Sequence, residues 1–376
     1  MNKKELTEIK KQLSSNTKTS FGELLTAYVG SDKEIKFVKR NMFMGLPEME
    51  ILMYLELFKK SLGGSIGKNL LELQFPVVNY ADCQSKTNLC ELTKSELKDD
   101  DLNREFVEGV VDKFDYAGEY YIMALSCSYP IPHKGKDTDE DGEDSEYLYD
   151  FILTAICPVN KVERGLCFMA EKNAVEKNYS SEMEVGKPMH GFLFPVFNER
   201  EADANSVMYF TAKPKEPSTS IIEGILGCKL ELSANEQQER FNNMLSRVLG
   251  DDSTYNITSA IHSSINEIIN NNVMETQPVT LNQDEIKKIL EDSGVDDDNM
   301  EAFEDIYEEE IGEGVSLTAV NITDESAMKV GSTDIKISVK PNAADKVEAK
   351  LVDGKRCLVI AIDETVKVNG LPVLCK

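Results

Sequence analysis

Four apolar runs rich in aromatic and β-branched residues crowd the middle of the chain: 120–129 (YYIMALSCSY), 147–157 (YLYDFILTAIC), 191–197 (GFLFPVF) and 206–212 (SVMYFTA). Such composition suits strands. Pro130, Pro132 and Pro158 stand at run ends, where a strand tolerates proline. A parallel sheet would need long, usually helical crossovers between successive strands, and none is readable between these runs. The expected fold is therefore α+β, an antiparallel sheet with helices packed on it.

Apolar spacing places the helices. Residues 2–14 carry Leu6, Ile9 and Leu13 on one stripe, and Pro47 opens a helix through Ile51, Leu55, Phe58 and Leu62 that stops at Gly63-Gly64. A hairpin is expected from Phe21 to Arg40 around Gly30-Ser31-Asp32, and a strand over Leu71, Leu73 and Phe75. Thr93 and Glu96 have capping-box spacing ahead of Leu102, Phe106, Val110 and Phe114; Ser233 and Glu236 repeat it ahead of Phe241, Met244 and Leu245. A further stripe joins Ile257, Ile261, Ile265 and Ile268, with His262 expected in solvent on its polar face. The polar stretch 270–278 reads as a linker. Beyond it come a helical hairpin with Ser293-Gly294 at its turn, then strands around Asp353-Gly354 and Asn369-Gly370. The expected organisation is an α+β main domain over 1–272, an acidic helical hairpin over 279–314, and a small β-rich C-terminal unit over 315–376.

Three segments, LFKKSLGGSIGKNLLELQFP (57–76), GFLFPVFNER (191–200) with SVMYFTA after it, and DGKRCLVIAIDETVKVNG (353–370), resemble the bacterial family called domain of unknown function 4317. The resemblance runs nearly end to end. It implies a whole-length family unit and a bacterial source, and it brings no activity, cofactor or catalytic residue.

Chemical motifs are few. GGSIGK (63–68) falls one residue short of a phosphate loop, continues with Asn69, and follows a helix instead of a strand; it reads as a helix stop and turn. Asp137, Asp139, Asp141 and Gly142 match positions 1, 3, 5 and 6 of a calcium loop, but Leu148 stands where the bidentate glutamate belongs. Calcium binding there would be weak, on the order of 0.1–1 mM, and no cofactor is expected. The eight cysteines form no C-x-x-C pair and only three histidines exist, so a zinc site is not expected. Scattered cysteines suit a reducing compartment. His190 opens an apolar strand near Asn198, Glu199 and Arg200, a set able to form a general acid/base cluster. KEIKFVKR (33–40) reads as a lysine-protected sheet edge more readily than as a nucleic-acid site.

The net charge of −26 opposes direct binding to nucleic acid or anionic lipid. The N-terminus MNKKELTEIKKQL is charged throughout, and the longest uncharged apolar run, Tyr120–Pro132, has 13 residues, short of the ~18 that a membrane helix needs. A soluble cytoplasmic protein is expected. The charge is local: 137–150 holds eight acids and no base, and 281–314 holds fourteen acids against Lys287 and Lys288, so these segments carry −20 of the −26. Glu308, Glu309 and Glu310 lie at the C-terminal end of their helix, where each unfavourable dipole contact costs about 0.3–1 kcal/mol when exposed. The leading expectation is a non-enzymatic interaction or regulatory protein whose acidic hairpin, through Glu308, Glu309 and Glu310, engages a basic protein. The alternatives are an enzyme with a site at His190–Arg200 and an acidic mimic of nucleic acid. The sequence sets no oligomeric state.

Overall fold

The computed structural model describes residues 1–14, 17–76, 84–131, 147–169, 173–230, 232–272, 278–324, 327–331, 334–340, 343, 346–362, 365–368 and 371–373. The chain divides into two compact units, Met1–Ser233 and Ala234–Lys376. The polarity of 270–278 draws the sequence boundary at 272 instead. The structure groups the two helices before that stretch with the acidic segment after it.

The first unit contains α1 (Lys3–Gln12), β1 (Ser20–Val29), β2 (Ile35–Met42), α2 (Glu48–Lys60), β3 (Leu70–Gln74), α3 (Gln84–Lys94), α4 (Asp100–Lys113), β4 (Tyr120–Ile131), β5 (Tyr147–Met169), β6 (Ala174–Val185), β7 (His190–Phe194), β8 (Val196–Asn198), β9 (Glu201–Asp203) and β10 (Ser206–Thr211), followed by a π-helical turn at Ser220–Ile225. Seven strands form a sheet in the order β2-β1-β4-β5-β7-β10-β3, and β6 pairs with the far half of β5. Every pairing is antiparallel.

Both faces of this sheet are covered. Strand residues alternate between two cores: Met123, Leu125, Leu153 and Leu193 face α1 and α2, while Ile122, Ala124, Ile152 and Phe192 face α3, α4 and the π turn. A strand buried on both sides reads as an unbroken apolar run, which is usual for parallel sheets and here arises in an antiparallel one. The GGSIGK segment is a loop between α2 and β3, with Gly64 and Gly67 at φ 82° and 81°.

The helix α4 starts differently from its expected cap. Asp99 is its N-cap, accepting from the backbone N–H of Asp101 and Leu102. Thr93 lies inside α3, where its hydroxyl donates to the Leu89 carbonyl at 2.8 Å, and Glu96 occupies a left-handed turn at φ 52° followed by Leu97 at 62°. The buried Asn103 holds that turn, its Nδ2 donating to the Leu97 carbonyl at 2.7 Å. Asn103→Ala leaves a buried carbonyl unpaired and is expected to cost about 1–3 kcal/mol, read as a lower denaturant midpoint at unchanged m-value.

The second unit contains α5 (Ala234–Leu249), α6 (Tyr255–Asn271), β11 (Thr280–Leu281), α7 (Gln283–Asp292), α8 (Asp297–Met300), α9 (Phe303–Glu310), β12 (Leu317–Thr318) and α10 (Ala319–Ile322), then the hairpins β13 (Met328–Gly331)–β14 (Lys336–Val339), β15 (Val347–Val352)–β16 (Lys355–Ile360) and β17 (Val366–Val368)–β18 (Leu371–Val373). β11 and β12 pair antiparallel and tie the two ends of the α7–α9 segment together. Asp353 and Gly354 at φ 50° and 71° make the expected tight turn between β15 and β16. Among the described residues no helix is long and apolar enough to cross a membrane.

Candidate functional site

His190 opens β7, in register with Ile156 of β5 and Thr211 of β10. Its Nδ1 lies 2.8 Å from the Tyr209 hydroxyl, which itself accepts the Ser218 N–H at 3.2 Å. The Ser218 N–H takes one of the two lone pairs of that hydroxyl, and the His190–Tyr209 hydrogen bond fixes the ring in place. The imidazole stacks on Tyr209 at 10° between planes and meets the edge of Phe114 at 5.6 Å. Burial, with the Lys213 charge second, pushes its pKa down to about 4. It is therefore neutral and weakly basic at pH 7, a poor proton acceptor for general base catalysis.

Asn198, Glu199 and Arg200 belong elsewhere. Beyond the far end of β7, about 13 Å along the strand, β8 and β9 form a hairpin whose turn residues Glu199 and Arg200 adopt φ 49° and 65°. Asn198 donates to Glu72 at 2.8 Å and Asp203 at 3.1 Å and accepts from the Met1 amine. Arg200 donates to Glu8 of α1 at 3.2 Å, and Tyr129 donates to the other oxygen of Glu8 at 2.6 Å. These bonds run to groups other than the Tyr209 hydroxyl that holds His190. The structure thus does not bring the expected acid/base set together; Asn198 and Arg200 tie the β8–β9 hairpin to β3 and α1, while His190 is fixed inside the sheet.

The acidic segment is a folded one. Ile286, Ile289, Leu290, Met300, Phe303, Ile306 and Tyr307 turn inward, and of its fourteen carboxylates all but the half-buried Glu310 are exposed. The glutamates at the end of α9 meet cations of the same unit. Arg247 of α5 donates to Glu309 at 2.7 Å and Glu310 at 2.8 Å, and Arg240 reaches the Glu310 and Ile311 carbonyls at 3.3 and 3.5 Å. A guanidinium on the last carbonyls also opposes the negative end of the helix dipole. The placement of Glu309 and Glu310 there is thereby compensated from within. Arg240 and Arg247, seven residues apart and so on one helix face, are the cations at this segment that sequence reasoning passed over. Their spacing was the available signal.

Asp137, Asp139 and Asp141 lie outside the described residues. Among the described residues no three His, Cys, Asp or Glu side chains are grouped as metal ligands. Cys127 and Cys157 are buried in the sheet, and desolvation pushes the Cys157 thiol up to about 12, which leaves it unreactive at neutral pH.

Together these features define an α+β protein of two units, one built on a doubly covered antiparallel sheet and one of helices and small β-hairpins with outward carboxylates. The chain belongs to the family described as Domain of unknown function (DUF4317), whose model matches residues 1–371. Comparison with curated proteins and with solved structures gives no match.

Proposed function

We propose that this chain is a non-enzymatic binding protein whose α7–α9 segment docks a basic protein. The supporting observation is the sidedness of that segment: its apolar residues are buried and its carboxylates stand in solvent on ordered helices. Fixed charges on a rigid face steer a cationic partner and set its register more than they add raw affinity. Glu309 and Glu310 already share Arg247, so the reading assigns them a tunable part. Asp297, Asp298, Glu301 and Glu308 carry the open charge.

The test is recovery of a basic partner on the tagged full chain at low and high salt. Recovery should fall steeply with salt, because exposed charges are screened over about 10 Å at 0.1 M. It should also fall in the variant Asp297→Asn, Asp298→Asn, Glu301→Gln, Glu308→Gln, and rise in Arg247→Ala, which frees two more carboxylates. Equal recovery at both salts, or from the four-residue variant, would sink the proposal. Competition for the same partner by duplex DNA would move the reading to an acidic mimic of nucleic acid.

A further inference from the structure

One helix of the second unit breaks the usual rule of sidedness. On α6 the apolar stripe Ile261, Ile265 and Ile269 is buried, as a core stripe should be. Beside it runs a second stripe, Thr258, Ser259, His262 and Asn266, at spacings of one, four and eight residues, which places them on one face. A polar stripe of this kind normally faces water. Here Ser259 is buried and Thr258, His262 and Asn266 are half-buried. The stripe faces α5, the end of α10 and β13 across a cavity of about 440 Å³.

The chemistry of that cavity is distinct from the rest of the molecule. In a chain of net charge −26, most of its lining residues carry hydroxyls, amides or an imidazole, interspersed with Ile322, Ala327, Met328 and Val330. The two lining residues of fixed charge, Asp324 and Lys329, pair with each other at 2.8 Å, so the cavity carries almost no net charge. His262 is tied by Nδ1 to the Thr323 hydroxyl at 3.1 Å, and burial lowers its pKa, so the ring is neutral at pH 7. The amide oxygen of Asn266 is buried and has no hydrogen-bond partner among the described residues. Buried polar atoms are nearly always paired, and leaving one unpaired costs about 1–3 kcal/mol. The Asn266 oxygen itself is enclosed in the wall; the half-buried polar stripe borders a cavity whose volume falls inside the usual ligand-site range of about 300–1,000 Å³.

We infer that this cavity binds an uncharged, multiply hydroxylated small molecule of roughly mono- to disaccharide or nucleoside size, held by the polar stripe of α6. A charged group would have to lose its hydration in a site with no opposite charge to replace it. The inference is independent of the acidic docking face, which lies on other residues.

The experiment uses the full chain and ligand-observed NMR with a panel of free sugars and nucleosides, each run beside its phosphorylated counterpart at millimolar concentration. At least one uncharged compound should bind, and its phosphate should bind about tenfold more weakly. The sugar and nucleoside arms distinguish the two sources of the same chemistry. Asn266→Leu should weaken the bound compound by about tenfold or more, without lowering the melting temperature, because it removes an unpaired buried acceptor. Thr258→Phe, which fills the cavity from the other end of the stripe, should do the same and serves if the first variant does not fold. Absence of any uncharged binder, tighter binding of the phosphates, or binding undiminished in the folded variants would each overturn the inference.

Discussion

Gly191→Ala is expected to destabilise the first unit by about 3 kcal/mol or more, a large share of the roughly 5–15 kcal/mol that holds a domain together. A Cβ at Gly191 would sit 2.6 Å from the Thr154 carbonyl oxygen of β5 and 2.9 Å from Cβ of Ser61 at the end of α2. Neither neighbour can turn aside. Thr154 belongs to the backbone of a strand hydrogen-bonded on both sides. Ser61 is fully buried, with its hydroxyl bonded to the Phe58 carbonyl at 2.8 Å. Strand and helix must part, and overpacking of this kind opens space around every neighbouring contact. The control is the same substitution in α4: Gly109 has nothing within 4 Å of a built Cβ, so Gly109→Ala should gain about 0.5–1 kcal/mol from helix propensity. Equilibrium urea unfolding reads both. A loss at Gly191 below about 1 kcal/mol would mean that the sheet and α2 do not meet as described.

The second large effect is an acid sensitivity carried by one imidazole. His190 has a folded-state pKa of about 4, against about 6.5 when exposed. Because the folded pKa is lowered, the unfolded chain binds the proton first. The stability due to the neutral ring is fully present above pH 6.5, falls as pH drops below it, and is nearly spent at pH 4. Each tenfold difference in proton affinity between the folded and unfolded chain is worth about 1.4 kcal/mol, so the loss between pH 6.5 and 4 is about 3 kcal/mol. His190→Gln keeps an amide able to hydrogen-bond the Tyr209 hydroxyl and removes the titration. The wild-type chain should therefore lose about 3 kcal/mol more than the variant over that interval, with carboxylates and His262 common to both. Parallel pH profiles would contradict the buried placement of His190.

Much of the first unit was legible because strong apolar runs survive any context. The four central runs became β4, β5, β7 and β10, and the Pro47–Leu62 pattern became α2. What was not legible has a common cause: it lay where local pattern and tertiary role diverge. The second half of β5 pairs antiparallel with β6, and Leu166, Phe168 and Val175 on these strands are exposed; apolar residues that face solvent do not mark an inward face for a reading of the sequence. Thr93 and Glu96 matched a cap by spacing, yet α3 already contained Thr93, and the true cap was Asp99. His262 looked solvated because it stands on a polar helix face, whereas other elements cover it. At the acidic segment the charge was plain in the sequence. The intramolecular arginines that answer part of it belong to a helix some sixty residues earlier, a separation that no local window spans.

The position of β3 at the sheet edge also bears on how the chain is made. β3, residues Leu70–Gln74, pairs within the sheet with β10, residues Ser206–Thr211. On a ribosome adding roughly 5–20 residues per second, the earlier strand waits on the order of ten seconds for its partner. During that interval Leu70, Leu73 and the adjoining Phe75, all buried in the finished protein, have no sheet to join. Nascent chains that stop short of Thr211 should therefore stay protease-sensitive and bind chaperones, and the first unit should become protected in one late step once β10 has cleared the exit tunnel.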